Sequence, residues 1–305
     1  MSACIVLATD QNYVRQTCVT IASYALSNPT NRSEIQVLIH GLDGPGVRLL
    51  ETTAAAFGLS LGMIPIDLEW TSRLPESFRS GLVHVSPMTY SKLIAMEYIP
   101  SHYRRCLMLD TDLLVIDSLD DLICKDLSTF PVAAVQDFMM PKASGLRLGL
   151  KNPESYFNCG VLLMDRNNWN KCAPLSKISS VVEAKSEKIC YGDQDIMNVI
   201  FDGNYLPLNY KYNHMHMVSL DGLIPNHRLQ GTPPAILHFP GQIKPWHEYA
   251  PRNLQAAYFR YASACQWIGM KLMEPASLQE TKIAARLSEK MQNKSLYEKY
   301  IAKLN

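Results

Sequence analysis

The chain has 305 residues, 47% of them hydrophobic and 19% charged. That is ordinary globular material, enough for one large α/β domain with an appendage. A formal net charge of +1 gives no field to gather nucleic acid or repel acidic substrates, and no apolar run approaches the ~18 residues of a membrane span.

The start, MSACIVLATD, lacks a basic segment and reaches an acid at Asp10, so it reads as a first strand, Ala3 to Ala8, and not as a signal peptide. After Asn12, the positions Val14, Cys18, Ile21, Ala22 and Ala25 lie on one face at helical spacing. Ile35 to His40 predicts the next strand, Val47 to Phe57 a helix and Leu61 to Ile66 a third strand; such alternation argues for a parallel sheet with both faces covered. Ser86-Pro87 opens a helix running to Tyr98, with a cap residue before a first-turn proline, and Pro100 ends it.

Further strands follow at Cys106 to Leu109, Val132 to Val135 and Phe157 to Met164. A helix between Gly192 and Phe201 carries Asp193 and Asp195 in its first turn, and Ala235 to Phe239 closes the sheet region. From Pro251 the chain becomes helical and more basic, so residues 1–250 are expected to form the main domain and 251–305 a helical extension. The eight cysteines (4, 18, 106, 124, 159, 172, 190 and 265) form no C-x-x-C pair and read as reduced, buried thiols of a cytoplasmic protein.

Chemistry concentrates at Leu107-Met-Leu-Asp-Thr-Asp-Leu-Leu-Val115. Side chains two apart on an extended chain leave on the same side, so Asp110 and Asp112 can converge on one hard divalent cation, beyond a strand's carboxyl end where open α/β sheets bind ligands. A solvated turn is the plain alternative. A phosphohydrolase also ends a strand in D-x-D, but its Thr or Val two residues on is here Leu114, and its later G-D-x-x-x-D fails at Met197.

Six segments in order resemble glycosyltransferase family 8, from the first strand to about Tyr249. They are Ala8-Thr-Asp-Gln-Asn-Tyr13, Thr89-Tyr-Ser-Lys92, Leu109-Asp-Thr-Asp112, Phe157-Asn-Cys-Gly-Val161, Asp193-Gln-Asp-Ile-Met-Asn198 and His238-Phe-Pro-Gly-Gln-Ile-Lys-Pro-Trp246. The family includes bacterial lipopolysaccharide galactosyl- and glucosyltransferases and glycogenin. The resemblance implies a GT-A fold, a Rossmann-like mixed sheet flanked by helices, and retaining transfer of glucose or galactose from a UDP-sugar to an acceptor hydroxyl. It assigns Asp10, Asn12 and Tyr13 to the uridine, with His84 nearby, Lys92 to the donor phosphates or sugar, and Gly241 and Lys244 to the diphosphate. It assigns Asp110, Asp112 and His238 to Mn²⁺, with Mg²⁺ the second choice, since two carboxylates and an imidazole suit Mn²⁺ better. Asp193, Gln194, Asn158 and Asp137 would face the sugar. Cys159 replaces the Ala or Ser more usual there.

The metal and Lys244 would neutralise the departing phosphate. Gln194, an amide and a poor nucleophile, would stand on the sugar's far face, which favours front-face substitution over double displacement. A self-glycosylating glycogenin-like enzyme, a sugar-nucleotide hydrolase and a silent binding protein are the rival readings. His214 and His216 read as an acceptor-side loop or as a second metal pair. From Lys271 onward, seven Lys or Arg stand against four Glu, and Ile283, Leu287 and Met291 form a stripe continued by Tyr297, Ile301 and Leu304. Such helices either pack back on the domain or lie on the inner face of an anionic membrane, where a lipid-linked acceptor would be found.

Overall fold

The computed structural model describes residues 2–30, 32–69, 71, 86–139, 141–172, 175–219, 222–224 and 232–304. Cys4 to Leu7 are apolar at every position, a pattern that suits a strand covered on both faces. The strand they form, β1 (Ala3–Thr9), runs parallel between β2 (Glu34–Ile39) and β4 (Arg105–Leu109). Outside β2 lies parallel β3 (Leu61–Pro65). On the other side, β7 (Phe157–Asp165) runs antiparallel to β4, β6 (Val132–Gln136) antiparallel to β7, and β8 (Leu206–Pro207) parallel to β6. The order β3-β2-β1-β4-β7-β6-β8 reverses direction of growth between β1 and β4, and ligands of open α/β sheets gather at such a switch point.

β10 (Met217–Ser219) and β11 (Gly222–Ile224) pair antiparallel, and a small sheet sits above the carboxyl ends. In it β12 (Ile236–His238) pairs antiparallel with β5 (Leu113–Val115) and parallel with β9 (His214–Met215). Helix α1 (Val14–Ser27) holds β5 from its other edge through hydroxyls on one stripe. Thr20 Oγ1 donates to Leu113 O at 3.0 Å, Ser23 Oγ accepts from Val115 N at 2.9 Å, and Ser27 Oγ donates to Val115 O at 2.9 Å. Buried backbone groups need partners, and the helix supplies them where no strand does. Thr20 and Ser23 are therefore as buried as the apolar face read from the sequence, and Ser27 is half-buried.

Helix α2 (Gly44–Phe57) begins where the Asp43 carboxylate accepts from Gly46 N at 2.6 Å, and ends at Gly58, whose φ of 61° is the left-handed conformation glycine tolerates. The helix expected from Ser86 opens as a 3₁₀ turn, Pro87–Tyr90, and becomes α3 (Ser91–Tyr98), with Ser86 capping Met88 N. Helix α4 (Pro141–Leu148) was not expected from the sequence; α5 (Gly192–Phe201) was.

Beyond residue 250 the core continues without a break. Leu254, Tyr258 and Ala262 of α6 (Arg252–Ala262) join the cluster that contains Leu7, Val14, Cys18 and Leu113. The last helices, α7 (Leu278–Lys290) and α8 (Lys294–Leu304), turn most of the predicted stripe inward: Leu287 is buried, and Ile283, Ile301 and Leu304 pack on the same cluster. Met291 follows the end of α7 and is 37% exposed. Met273 N donates to Trp246 O at 2.7 Å and Glu248 N to Met273 O at 3.0 Å. Lys299 Nζ reaches Glu248 at 2.7 Å and Glu274 at 2.9 Å, and the Tyr300 hydroxyl also donates to Glu248.

All eight cysteines are free, but Cys124 and Cys190 are exposed and Cys172 is half-buried, so the expectation of buried thiols is corrected at those three. Each stands near a helix end, outside the strands that bury Cys4, Cys106 and Cys159 and the helical turns that bury Cys18 and Cys265. No described helix is long and apolar enough to cross a membrane.

Candidate active site at the switch point

Two backbone hydrogen bonds aim the paired acids. Asp110 N donates to Gly160 O of β7 at 2.9 Å, extending the β4–β7 ladder by one residue, and Phe239 N donates to Asp112 O at 2.9 Å, tying the second acid to the end of β12. His238 is the last residue of β12, so three segments deliver three side chains to one point. Ligand atoms of Asp110, Asp112 and His238 lie within 4.8 Å of one another, the only such cluster of acids, histidines and cysteines among the described residues. His238 Nε2 is 3.2 Å from Asp112 Oδ1 and 3.8 Å from Asp110 Oδ2. This buried nitrogen has no hydrogen-bond partner, and it faces two anionic oxygens. A divalent cation fits that donor set, because it would satisfy the nitrogen and both carboxylates together. The imidazole lies flat on Gly160: a Cβ there would be 2.1 Å from His238 Cε1, 2.6 Å from Nδ1 and 2.9 Å from Nε2.

Two buried lysines frame the acids. Lys92 Nζ is 2.6 Å from Asp110 Oδ1 and 3.2 Å from Asp193 Oδ2, and Lys244 Nζ is 2.6 Å from Asp112 Oδ2 and from the carbonyl of Phe239. Burial works against both charges, yet the adjacent carboxylates hold each ammonium above the ordinary lysine range. Burial likewise opposes the Asp112 anion, but the Lys244 ammonium keeps its carboxyl far below the usual range. Asp193, which also accepts from Thr89 Oγ1 at 3.0 Å, is pushed up by burial in spite of Lys92.

Next to these three candidate ligands, a polar wall begins with Asn158 on β7 and Gln194 on α5. Gln194 Oε1 accepts from Asn158 Nδ2 at 3.0 Å and from Cys159 N at 3.3 Å; its Nε2 donates to Asp137 Oδ2 at 3.2 Å and to the Tyr156 hydroxyl at 3.0 Å. The neighbouring Asp195 is wholly buried. Arg147 of α4 grips it through both terminal nitrogens at 2.8 and 3.0 Å, Tyr156 donates to it at 2.7 Å, and the N–H groups of Cys190 and Tyr191 donate at 2.6 and 2.8 Å. With five donors on its two oxygens, Asp195 has no lone pair free for nucleophilic attack. Burial holds Cys159 as a neutral thiol.

At the opposite end, Asp10 accepts from the N–H groups of Asn12 and Tyr13 at 2.9 and 3.1 Å and takes the Ser86 hydroxyl at 2.5 Å. It caps the start of α1, a job its own N-cap residue, Tyr13, does not do. The Tyr13 ring stands edge-on to Trp246, centroids 6.1 Å apart. Gly241 lies half-buried in the bend between Phe239 and Lys244. The structure thus brings Asp10, Tyr13, Lys92, Lys244 and the three metal candidates to one end of the sheet, with Asn158, Asp193, Gln194 and Asp137 adjoining them; Asn12 is exposed at the rim. His84 lies outside the described residues. Arg147, Tyr156 and Asn213 were missed. Tyr156, directly before Phe157-Asn-Cys-Gly, carried a positional signal; Arg147 carried none.

His214 and His216 are not a loop pair. His214 belongs to paired β9, His216 N donates to His238 O, and the two rings stack edge-on with centroids 4.3 Å apart. No third described acid, histidine or cysteine joins them as a metal site. Burial first, and then the neighbouring His216, press His214 from 6.5 down to about 4. A lowered folded value means the neutral ring is favoured by folding, so its contribution is whole above pH 6.5 and is lost as pH falls toward 4. Allowing for partial exposure, that loss is about 1 to 2 kcal/mol. His214→Gln is expected to flatten the melting-temperature profile across this window; an unchanged slope would place the effect elsewhere.

A family model for glycosyl transferase family 8 matches residues 4–250. Glycosyltransferase GlyA of Streptococcus pneumoniae is 30% identical over 84% of this chain and 34% of its own length, and GlyF of the same organism 28% identical over 86% and 61%. The chain therefore spans only part of those relatives. A lipopolysaccharide 1,2-glucosyltransferase of Escherichia coli is 28% identical over 82% of this chain and 75% of its own. Among solved structures, galactosyltransferase LgtC, in complex with donor and acceptor sugar analogues, superposes with a TM-score of 0.72 at 27% identity, covering 89% of this chain and 97% of that one. The fold is the GT-A fold of LgtC. This chain belongs to glycosyltransferase family 8.

Proposed function

We propose that the chain moves a hexose, glucose or galactose, from a UDP-sugar to an acceptor hydroxyl with retention of configuration, on a bacterial surface glycan or lipid-linked saccharide. The observation that carries this reading is the convergence of Asp110, Asp112 and the unpartnered Nε2 of His238 beside two buried lysines. These three residues would hold Mn²⁺, with Mg²⁺ the second choice, and the ion would supply Lewis-acid neutralisation of the diphosphate. Residues 1–250 are assigned to donor binding and catalysis, and 251–305 to an extension whose inward packing favours an intramolecular role.

The protein's own contribution is positioning and electrostatics. Lys244, with Gly241 ahead of it, would grip the leaving phosphate, while Tyr13, Asp10 and Asn12 would hold the uridine. Asp193 and Lys92 would meet the hexose hydroxyls and phosphate, Asn158 and Gln194 would contact the sugar with Gln194 on its far face, and Asp137 would face donor and acceptor hydroxyls. With the Gln194 amide fully hydrogen-bonded and Asp195 saturated by Arg147, a protein nucleophile is not on offer. Transfer would then be front-face: the acceptor oxygen bonds to the anomeric carbon as the carbon–phosphate-oxygen bond breaks, and the acceptor proton passes to the leaving phosphate oxygen.

The test is a donor panel with Mn²⁺, reading nucleotide release for each sugar nucleotide with and without saccharide acceptor, and anomeric configuration by NMR. The expected result is acceptor-stimulated UDP release from a UDP-hexose, with a retained product. Release unaffected by every acceptor would favour hydrolysis, and an inverted product would sink the front-face route.

A further inference from the structure

His238 Nδ1 lies 2.8 Å from Asn213 Oδ1, and Asn213, wholly buried, also donates from Nδ2 to Asn158 Oδ1 at 2.8 Å. We propose that Asn213 is a positioning residue that fixes the proton of His238 on Nδ1, leaving the Nε2 lone pair directed at the cation held by Asp110 and Asp112. The proposal rests on the metal-site reading and deepens it.

The direction of every bond in this chain follows from groups that cannot rotate. Gly160 N–H, a backbone donor, points to Asn158 Oδ1 at 2.9 Å, so that atom is the oxygen and Asn158 Nδ2 is the donor. Asn158 Nδ2 therefore faces an oxygen of Gln194, and a second backbone donor, Cys159 N–H, points at the same Gln194 atom. Because Asn158 Oδ1 can only accept, Asn213 must offer it the NH₂ group, and its carbonyl is left toward His238 Nδ1. An oxygen there demands an N–H on Nδ1, and a neutral imidazole then has only a lone pair on Nε2. That lone pair stands 3.2 Å from Asp112 Oδ1. In this way two backbone N–H groups of β7 settle both the orientation of Gln194 at the sugar-facing wall and the protonation of His238 at the metal. Ligating histidines are commonly held in this manner by a partner on the second ring nitrogen.

The experiment uses the full chain with ¹⁵N-labelled histidine and with Mn²⁺ and UDP as probes. In alkaline buffer, the ¹⁵N shifts of His238 are expected to report the Nδ1–H tautomer. In Asn213→Ala they are expected to shift toward a mixture, with Mn²⁺ affinity in the presence of UDP falling about 10- to 100-fold by electron paramagnetic resonance. Asn213→Asp still accepts from Nδ1–H while losing the donor to Asn158, so it should keep the tautomer and most of the Mn²⁺ affinity, a rescue that a merely space-filling role would not produce. An Nε2–H ring in the unaltered protein overturns the proposal. So does a folded Asn213→Ala protein that binds Mn²⁺ as the unaltered chain does. A tautomer that responds to Asn213 in a chain that binds no Mn²⁺ would uphold the positioning role and remove the metal reading instead.

Discussion

Asp112→Asn is expected to lower hexose transfer by about a thousandfold or more and to remove Mn²⁺-stimulated binding of UDP, while the protein still folds. Asp112 carries three duties: its carboxylate faces His238 Nε2 at 3.2 Å and takes the Lys244 ammonium at 2.6 Å, and its backbone carbonyl anchors β12. The amide keeps the last of these and can still accept from Lys244. It cannot give a divalent ion an anionic oxygen, and several kcal/mol of charge stabilisation is about a thousandfold in rate. Stability should fall as well, by up to about 3 kcal/mol, because a buried ammonium loses its counter-charge. Transfer rate, Mn²⁺ resonance spectra and circular dichroism, with exposed Asp117→Asn as the control, make the comparison. Near-normal turnover by Asp112→Asn would dismiss the metal site.

Gly160→Ala should be nearly as damaging, although it adds a single methyl group to a strand. The new carbon would overlap three atoms of the His238 ring, and that ring is pinned by Asn213 on one side and the acids on the other. It must slide away, taking Nε2 off its aim. Displacements of about 1 Å at a reacting centre cost about a hundredfold, and overpacking a full core costs about 1 to 3 kcal/mol. Transfer is therefore expected to drop about a hundredfold with a measurable fall in melting temperature. Gly41→Ala is the control: its φ of 60° is strained for alanine but its added carbon meets nothing within 4 Å, so it should lose stability without losing transfer. Equal activity in the two variants would mean that the ring is free to move.

The residues that were legible in the sequence are those whose pattern is local. Cys4 to Leu7 and Phe157 to Met164 are unbroken apolar runs, and a strand covered on both faces has no other way to look. Asp110 and Asp112 advertise themselves by spacing, and the order of six motifs pointed to the family. What stayed hidden depends on partners far along the chain. Arg147 meets Asp195 across 48 residues, and Asn213 meets His238 across 25. On its own, Asn213 in Lys211-Tyr-Asn-His reads as a turn residue. Thr20, Ser23 and Ser27 broke the apolar face of α1, yet they are the residues that brace β5. β5 and β9, of three and two residues, are too short to show any alternation.

The clasp between residues 246–248 and the last helices gives the tail leverage. The bridge that seats Met273 on Trp246 begins two positions past Lys244, and Glu248 is pinned from the far side by Lys299 and Tyr300. Pulling on the last helix, by a surface that captures it or a fusion that crowds it, would tug on the segment that carries Lys244. Anyone trimming the final helices for convenience would be removing a buttress.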